Sequence, residues 1–217
     1  MNWTLVVGAA PVPGCEAFYT SLLAEAATVV AADAAGEWCA ALGRVPDVVV
    51  GDFDSATAGA AQRLAALGAR VETHAREKDE TDLELAIDAA RANGDAPIVV
   101  TCAFSVRLDH TLAAFGALTR AGAGARAVEP GWRAWTCAAG APLDIESPAG
   151  ATLSVLAVGD ACGVRVTGTE WILEDASLQA LSGWGVSNRA LGGPVSVSCR
   201  AGTLVVLLLE DMDAGLY

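Results

Sequence analysis

The chain has 217 residues, enough for one large domain or two small ones with a buried core. Apolar residues make up 53% and charged residues 18%, a globular rather than a disordered composition. The net charge of −13 repels phosphate backbones, which argues against nucleic acid as a partner and leaves divalent metals or a cationic small substrate.

The N-terminal stretch carries no Lys or Arg before Arg44, so a signal-peptide n-region is not expected. No apolar run reaches the ~20 residues that span a bilayer. A soluble, cytoplasmic protein with no membrane partner is therefore expected. Six cysteines, at 15, 39, 102, 137, 162 and 199, form no C-x-x-C pair, and the only histidines are His74 and His110. That set gives poor support for zinc and fits small apolar residues in a reducing compartment.

Strands are expected at 4–7, 28–32, 47–50, 69–73, 97–101 and 125–129, where short apolar runs stand between breakers. Helices are expected between them, at about 15–27, 34–43, 57–67, 82–93 and 109–120. Near-continuous apolar strands alternating with helices predict an α/β domain, a mostly parallel sheet covered by helices on both faces. Ligands of such sheets bind beyond the carboxyl ends of the strands. After about residue 133 the texture changes to "ATLSVLAV", "CGVRVTG", "VSVSC" and "TLVVLLLE", separated by Gly, Pro and Ser. This predicts a smaller all-β C-terminal sandwich or barrel, helical only around "DASLQAL" (175–181). The boundary falls at "EPGWRAW", giving domains 1–132 and 133–217.

Three clusters sit where a parallel sheet would place a ligand. In "VVVGDFDS" a buried run ends in Asp52 and Asp54, with Ser55 next. Two residues apart in an extended chain, both carboxylates lie on one side, and such a pair calls for a cation between them. Mg²⁺ takes oxygen ligands of this kind together with substrate phosphates. In "KDETDLELAIDAA" Thr81 and Glu84 form a capping box, Asp79 and Asp82 flank the helix start, and Lys78 is the only lysine of the chain. In "RLDHTLAAFGAL" Arg107, Asp109 and His110 open another helix, whose buried stripe is expected to be Leu112, Phe115 and Leu118. Together the clusters predict a carboxylate cage with Lys and Arg at its rim, suited to a metal–polyphosphate. No Walker loop, kinase glycine loop or G-x-G-x-x-G is present.

In order and spacing, "PDVVVGDFDS", "KDETDLELA" and "RLDHTLA" resemble the signature segments of the thiamine pyrophosphokinase (thiamine diphosphokinase) family. "EWILED…SGWGVSN" resembles its C-terminal segment, and "AAD" its second-strand aspartate, here Asp33. The resemblance implies that ATP and thiamine give AMP and thiamine diphosphate, in a homodimer with thiamine near the subunit interface. It implies Mg²⁺ on Asp52, Asp54 and Asp82, with Asp79 and Asp109 supporting the cage or the hydroxyl nucleophile. Lys78 and Arg107 would face the β- and γ-phosphates, with Asp33, Ser55, Thr81 and His110 as further nucleotide-side candidates. Trp171, Ser187 and Asn188 would bind thiamine, the tryptophan by stacking. The chain departs from the family at "ADAAG", where A-D-G-G-A is common, and at "CAFSV", which lacks the glycines common before R-x-D.

Other readings of the same residues are a pyrophosphokinase for another alcohol such as a pterin, and a non-catalytic nucleotide or thiamine sensor. A phosphatase of the haloacid dehalogenase type also has D-x-D after a strand, but it wants Thr or Val two residues after the second Asp, where Ala56 stands.

Overall fold

The computed structural model describes residues 2–210, which divide into two compact units with the boundary between residues 117 and 118. The first unit alternates strand and helix from its start: β1 (Thr4–Val7), α1 (Glu16–Glu25), β2 (Thr28–Ala32), α2 (Ala35–Ala41) and β3 (Val48–Gly51). It continues with α3 (Ala60–Ala66), β4 (Arg70–Thr73), α4 (Asp82–Ala92), β5 (Ile98–Thr101) and α5 (Leu108–Arg120).

These strands pair parallel in the order β5-β1-β2-β3-β4. Every residue of β1, β3 and β5 is buried. Successive side chains of a strand point to opposite faces, so both faces of the sheet are covered, as the unbroken β-branched runs require. α4 packs across β1, β2 and β3 through Ala86, Ile87, Ala89 and Ala90. The chain runs outward from β1 to β4 and then returns to the other side of β1 with β5. Strand order therefore reverses between β1 and β5, where an open parallel sheet forms its ligand crevice.

The second unit is all-β. β6 (Arg126–Glu129), β7 (Trp132–Ala138), β14 (Thr203–Leu209), β9 (Thr152–Ala157) and β12 (Asn188–Arg189) pair antiparallel in that order. β8 (Leu143–Ser147), β13 (Gly193–Ser198), β10 (Ala161–Thr167) and β11 (Leu173–Leu178) form a second antiparallel sheet. Their inner faces meet in one core, with Leu153, Val155, Leu204 and Val206 from one sheet and Ile145, Val164, Val195 and Val197 from the other. This is the sandwich architecture that the short strands predict.

Two local expectations are corrected, at 175–181 and on α5. The strand expected at 125–129 is present as β6. Only Pro130 and Gly131 (φ 83°) separate β6 from β7, too few for a crossover, so the two form an antiparallel hairpin. "DASLQAL" is strand through Leu178, not helix, because Leu173, Ala176 and Leu178 pair with Val166, Val164 and Ala161. On α5, Ala114, Ala117 and Leu118 are buried whereas Leu112 is 59% exposed, so the buried stripe is shifted from the one expected.

Candidate active site

The crevice between β1 and β5 opens into a cavity of about 780 Å³ in the first unit. Its floor is backbone. Gly8 N–H donates to Thr101 O (2.8 Å) and Ala10 N–H to Cys102 O (2.7 Å), so the chain leaving β1 lies against the chain leaving β5. A Cβ on Gly8 would stand 2.4 Å from Cys102 O, which is why glycine occupies this position.

The acids enter from the ends of β2, β3 and the start of α4. Asp33 follows β2 with φ 49° and is 4% exposed. Its N–H donates to Val50 O (2.8 Å), and Ser55 Oγ donates to its Oδ2. Its Oδ1 is buried and has no hydrogen-bond partner among the described residues. Asp52 follows β3, and Asp82 is the first residue of α4, whose N-cap is Thr81 with the expected Thr81–Glu84 capping box complete. Carboxylate oxygens of Asp33, Asp52 and Asp82 lie within 4.8 Å of one another.

Lys78 reaches into this trio. Its Nζ is 2.8 Å from Asp82 Oδ1 and 3.6 Å from Asp52 Oδ2, and its side chain is 14% exposed. Burial alone would push the ammonium down in pKa, but hydrogen bonding and charge from Asp82, then Asp52, hold it above its ordinary value. Asp52 is held below the usual carboxylate range by the Asp54 N–H that its Oδ1 accepts (3.1 Å), against the effect of burial, and by the Lys78 charge.

Asp54 points elsewhere. Phe53 takes φ 59°, so the chain between the two aspartates is not extended and the same-side argument for their spacing does not apply. Asp54 pairs instead with Arg76 at 3.2 Å. Arg76, which the sequence reading did not single out, lines the cavity with Asp54, Ser55, Lys78, Thr81, Arg107 and His110. Arg107 is paired with Asp109 (2.5 Å), and that hydrogen bond lowers the Asp109 pKa and raises the arginine's. Asp79 is exposed and is not part of the cavity wall. Ser105 N–H donates to Thr111 Oγ1 (3.1 Å), and Ser105 Oγ accepts from Arg107 N–H (3.2 Å). The segment without glycines is thus folded on its own side chains, with Val106 fully exposed at the cavity.

The second unit has its own cavity, of about 580 Å³, walled by Trp171, Ile172, Trp184, Val186, Ser187 and Asn188 over Val155 and Val166. Trp171 and Trp184 are 57% and 64% exposed. Asn188 is buried and fully engaged: Oδ1 accepts from Trp171 N–H (3.1 Å) and Arg189 N–H (2.8 Å). Its Nδ2 donates to Trp171 O (2.6 Å) and Thr169 Oγ1 (3.2 Å). Asn188 therefore shapes the cavity by fixing Trp171. Ser187 has φ 61°, and its N–H donates to Ser154 Oγ (3.0 Å). Trp184 also lines this cavity, and its signal in the sequence is a second tryptophan between glycines in "SGWGVSN". Gly185 is forced, since a Cβ would stand 2.2 Å from Val155 O.

An acidic trio with a lone lysine, in the crevice of a parallel sheet, is equipped to hold a metal-bound polyphosphate. An aromatic, uncharged cavity suits a flat ring bearing a delocalised cation.

Two family models match successive stretches of the chain. Residues 19–128 match the family model described as thiamin pyrophosphokinase, catalytic domain, and residues 143–204 the model described as thiamin pyrophosphokinase, vitamin B1 binding domain. Among solved structures, thiamine pyrophosphokinase from Bacillus subtilis shares the fold at TM-score 0.77 and 22% identity, over 97% of this chain and 100% of that one. A thiamin pyrophosphokinase family protein from Enterococcus faecalis does so at TM-score 0.80 and 18% identity, over 97% and 100%. The Candida albicans thiamin pyrophosphokinase follows at TM-score 0.76 and 14% identity, over 97% and 90%. A search of curated protein sequences finds no significant match. The catalytic-domain match alone spans more than half of the chain, and the chain belongs to the thiamin pyrophosphokinase family.

Proposed function

We propose that the cavity of the first unit binds Mg²⁺·ATP and carries out the family's reaction there, transfer of the terminal diphosphoryl group to the hydroxyl of thiamine with release of AMP. The observation that carries this reading is the convergence of Asp33, Asp52 and Asp82, with a buried, unpartnered oxygen on Asp33. An orphaned buried carboxylate oxygen is costly unless something cationic meets it, and an all-oxygen donor set suits Mg²⁺. The residues present therefore fit the metal. Asp33, Asp52 and Asp82 would hold it, with Asp54 at the rim beside Arg76. When bound it would neutralise the phosphate charge that the acidic trio would otherwise repel.

The chain's own residues do the rest. Lys78 balances the trio, and its ammonium is the group that phosphate oxygens would draw away from Asp52 and Asp82. Arg107, oriented by Asp109, presents its guanidinium at the cavity wall to the terminal phosphates. Ser55 fixes the Asp33 carboxylate, while Thr81 and Glu84 fix the start of α4 and with it Asp82. His110 is available to a phosphate oxygen, whereas Asp79, exposed and outside the cavity wall, takes no direct part. The thiamine hydroxyl oxygen attacks the β-phosphorus and its proton passes to solvent, while the bond from that phosphorus to the α-phosphate oxygen breaks and AMP leaves. Positioning and electrostatics supply most of the acceleration.

Thiamine binding falls to the second unit, by stacking on Trp171 with Ser187 and Asn188 nearby. Residues 1–132 serve as the nucleotide- and Mg-binding part, and 133–217 as the part for thiamine binding and dimerisation. The exposed Trp171, Ile172, Trp184 and Val186 form an apolar surface of the kind that dimer interfaces cover, which supports a homodimer. No helix among the described residues is long and apolar enough to cross a membrane. The acidic charge and the absence of basic clusters in the sequence support a cytoplasmic enzyme without nucleic-acid or membrane partners.

Early-time chromatography of protein, Mg²⁺, ATP and thiamine tests the reading. AMP and thiamine diphosphate should appear one to one, without thiamine monophosphate. ADP with thiamine monophosphate, or free phosphate alone, would refute it.

A further inference from the structure

Arg76, Lys78 and Arg107 all line the cavity of the first unit, but they are not equally engaged. Lys78 is divided between Asp82 and Asp52, and Arg107 gives both Nε and Nη2 to Asp109. Arg76 makes a single ion pair among the described residues, from Nη2 to Asp54 at 3.2 Å, and its side chain is 79% exposed. A guanidinium carries five N–H donors in a planar fork. Arg76 therefore keeps most of its donors for a ligand, and its charge is the least neutralised of the three.

The fold holds Arg76 at the rim. His74 N–H donates to Gly51 O (3.0 Å), so the chain leaving β4 runs beside the chain leaving β3 and meets Asp54 there. Arg107 follows β5, at the opposite end of the parallel set β5-β1-β2-β3-β4. The two guanidinium groups thus enter one cavity from its two sides. Backbone after β5 has little to add. Ser105 N–H is taken by Thr111 Oγ1 and Arg107 N–H by Ser105 Oγ. In this segment, which lacks glycines, those N–H groups are closed to a phosphate, and side chains must meet it instead. The terminal phosphate carries the most charge of a triphosphate, and charge-assisted bonds from an arginine fork are roughly twice as strong as neutral ones.

We propose that Arg76 is a specificity-determining residue whose guanidinium binds the γ-phosphate from the β4 side and selects the triphosphate over the diphosphate. The proposal rests on reading this cavity as the Mg²⁺·ATP site. Calorimetry with Mg²⁺ and either α,β-methylene-ATP or α,β-methylene-ADP tests it. The two analogues differ only in the γ-phosphate, and neither can be cleaved at the bond that the reaction breaks. Arg76→Ala should weaken the triphosphate analogue on the order of tenfold and leave the diphosphate analogue within about twofold of wild type. Arg76→Lys keeps the charge, loses the fork and should recover part of the loss. A side chain this exposed can be removed without opening the core, so both variants should fold as the wild type does. Unaltered affinity for the triphosphate analogue in Arg76→Ala, or an equal loss for both analogues, would reduce Arg76 to a surface ion pair. Wild-type protein that binds neither analogue with Mg²⁺ would overturn the Mg²⁺·ATP reading of the cavity itself.

Discussion

Gly51 lies so close to Asp33 that a Cβ on it would stand 3.0 Å from Asp33 Cβ and 3.1 Å from Asp33 Cα. The last residue of β3 thereby sets where the carboxylate after β2 can sit. Gly51→Ala would push Asp33 by a few tenths of an ångström, which is small for folding and large for a ligand set. The expected outcome is a stability loss of about 1–2 kcal/mol with at least a tenfold fall in kcat/KM for ATP. Thermal melts and steady-state kinetics check it. Wild-type kinetics in a variant destabilised to that extent would show that Asp33 does not belong to the working trio.

Asp52 and Asp54 are two residues apart, yet one faces Asp33 and Asp82 and the other faces Arg76. Asp52→Asn should therefore cut turnover by several orders of magnitude, and Asp54→Asn by less, with both variants folded. The contrast is read from kcat at saturating Mg²⁺ and ATP. Equal losses would mean that Asp54 swings from Arg76 into the cage when nucleotide binds, as the bare spacing suggests. Full activity in Asp52→Asn would remove the cage altogether.

The first unit was legible in the sequence because a strand buried on both faces must be written in consecutive apolar residues. "TLVV", "VVVG" and "IVVT" carry that signature, and the acids placed after such runs or at the next helix start mark the ligand edge. The direction of each acid was not legible. Whether Asp54 joins Asp52 depends on one backbone angle, φ 59° at Phe53, which residue type does not report. Asp33 entered only through the resemblance, since one aspartate after one strand carries no chemical signal by itself. The β6–β7 hairpin was legible in Pro130-Gly131, which end one strand and leave too few residues for a crossover before the next. Leu112 shows the limit of helical periodicity, because the same stripe fits several rotations and only the packed partner selects one.

Glu37 ties the loop after β3 to α2 and α3. Its carboxylate accepts from Arg63 Nη2 (2.5 Å), from Thr57 Oγ1 (2.8 Å) and from Thr57 N–H (3.0 Å). The Arg63 hydrogen bond, then those of Thr57, lower the Glu37 pKa. A folded pKa below the unfolded one contributes stability that is present above the unfolded value of about 4.3 and is lost as pH falls through the folded value. Glu37→Gln should therefore lower Tm by roughly 1–3 °C at pH 7, with the difference from wild type shrinking below about pH 4. Calorimetric melts of both proteins across that range decide it. A Tm difference independent of pH would assign the effect to packing.

Asn188 and Trp171 make a pair in which one residue holds and the other touches. Four hydrogen bonds leave the Asn188 amide nothing to offer a ligand, and two of them fix the Trp171 backbone. Trp171 is 57% exposed at the cavity, so removing its ring takes little from the core. Trp171→Ala should weaken thiamine by about 1–3 kcal/mol, leave ATP affinity nearly unchanged and leave Tm close to wild type. Asn188→Ala strands the Trp171 N–H and leaves the Trp171 carbonyl only its bond from Thr169 Oγ1, and should cost about 1–3 kcal/mol of stability as well as thiamine affinity. If Asn188 acts through Trp171, the double variant should bind thiamine no more weakly than the worse single variant. Additive affinity losses in the double variant would show that Asn188 contacts thiamine itself. Unchanged affinity in Trp171→Ala would move thiamine away from this wall and leave Trp184 as the ring to test.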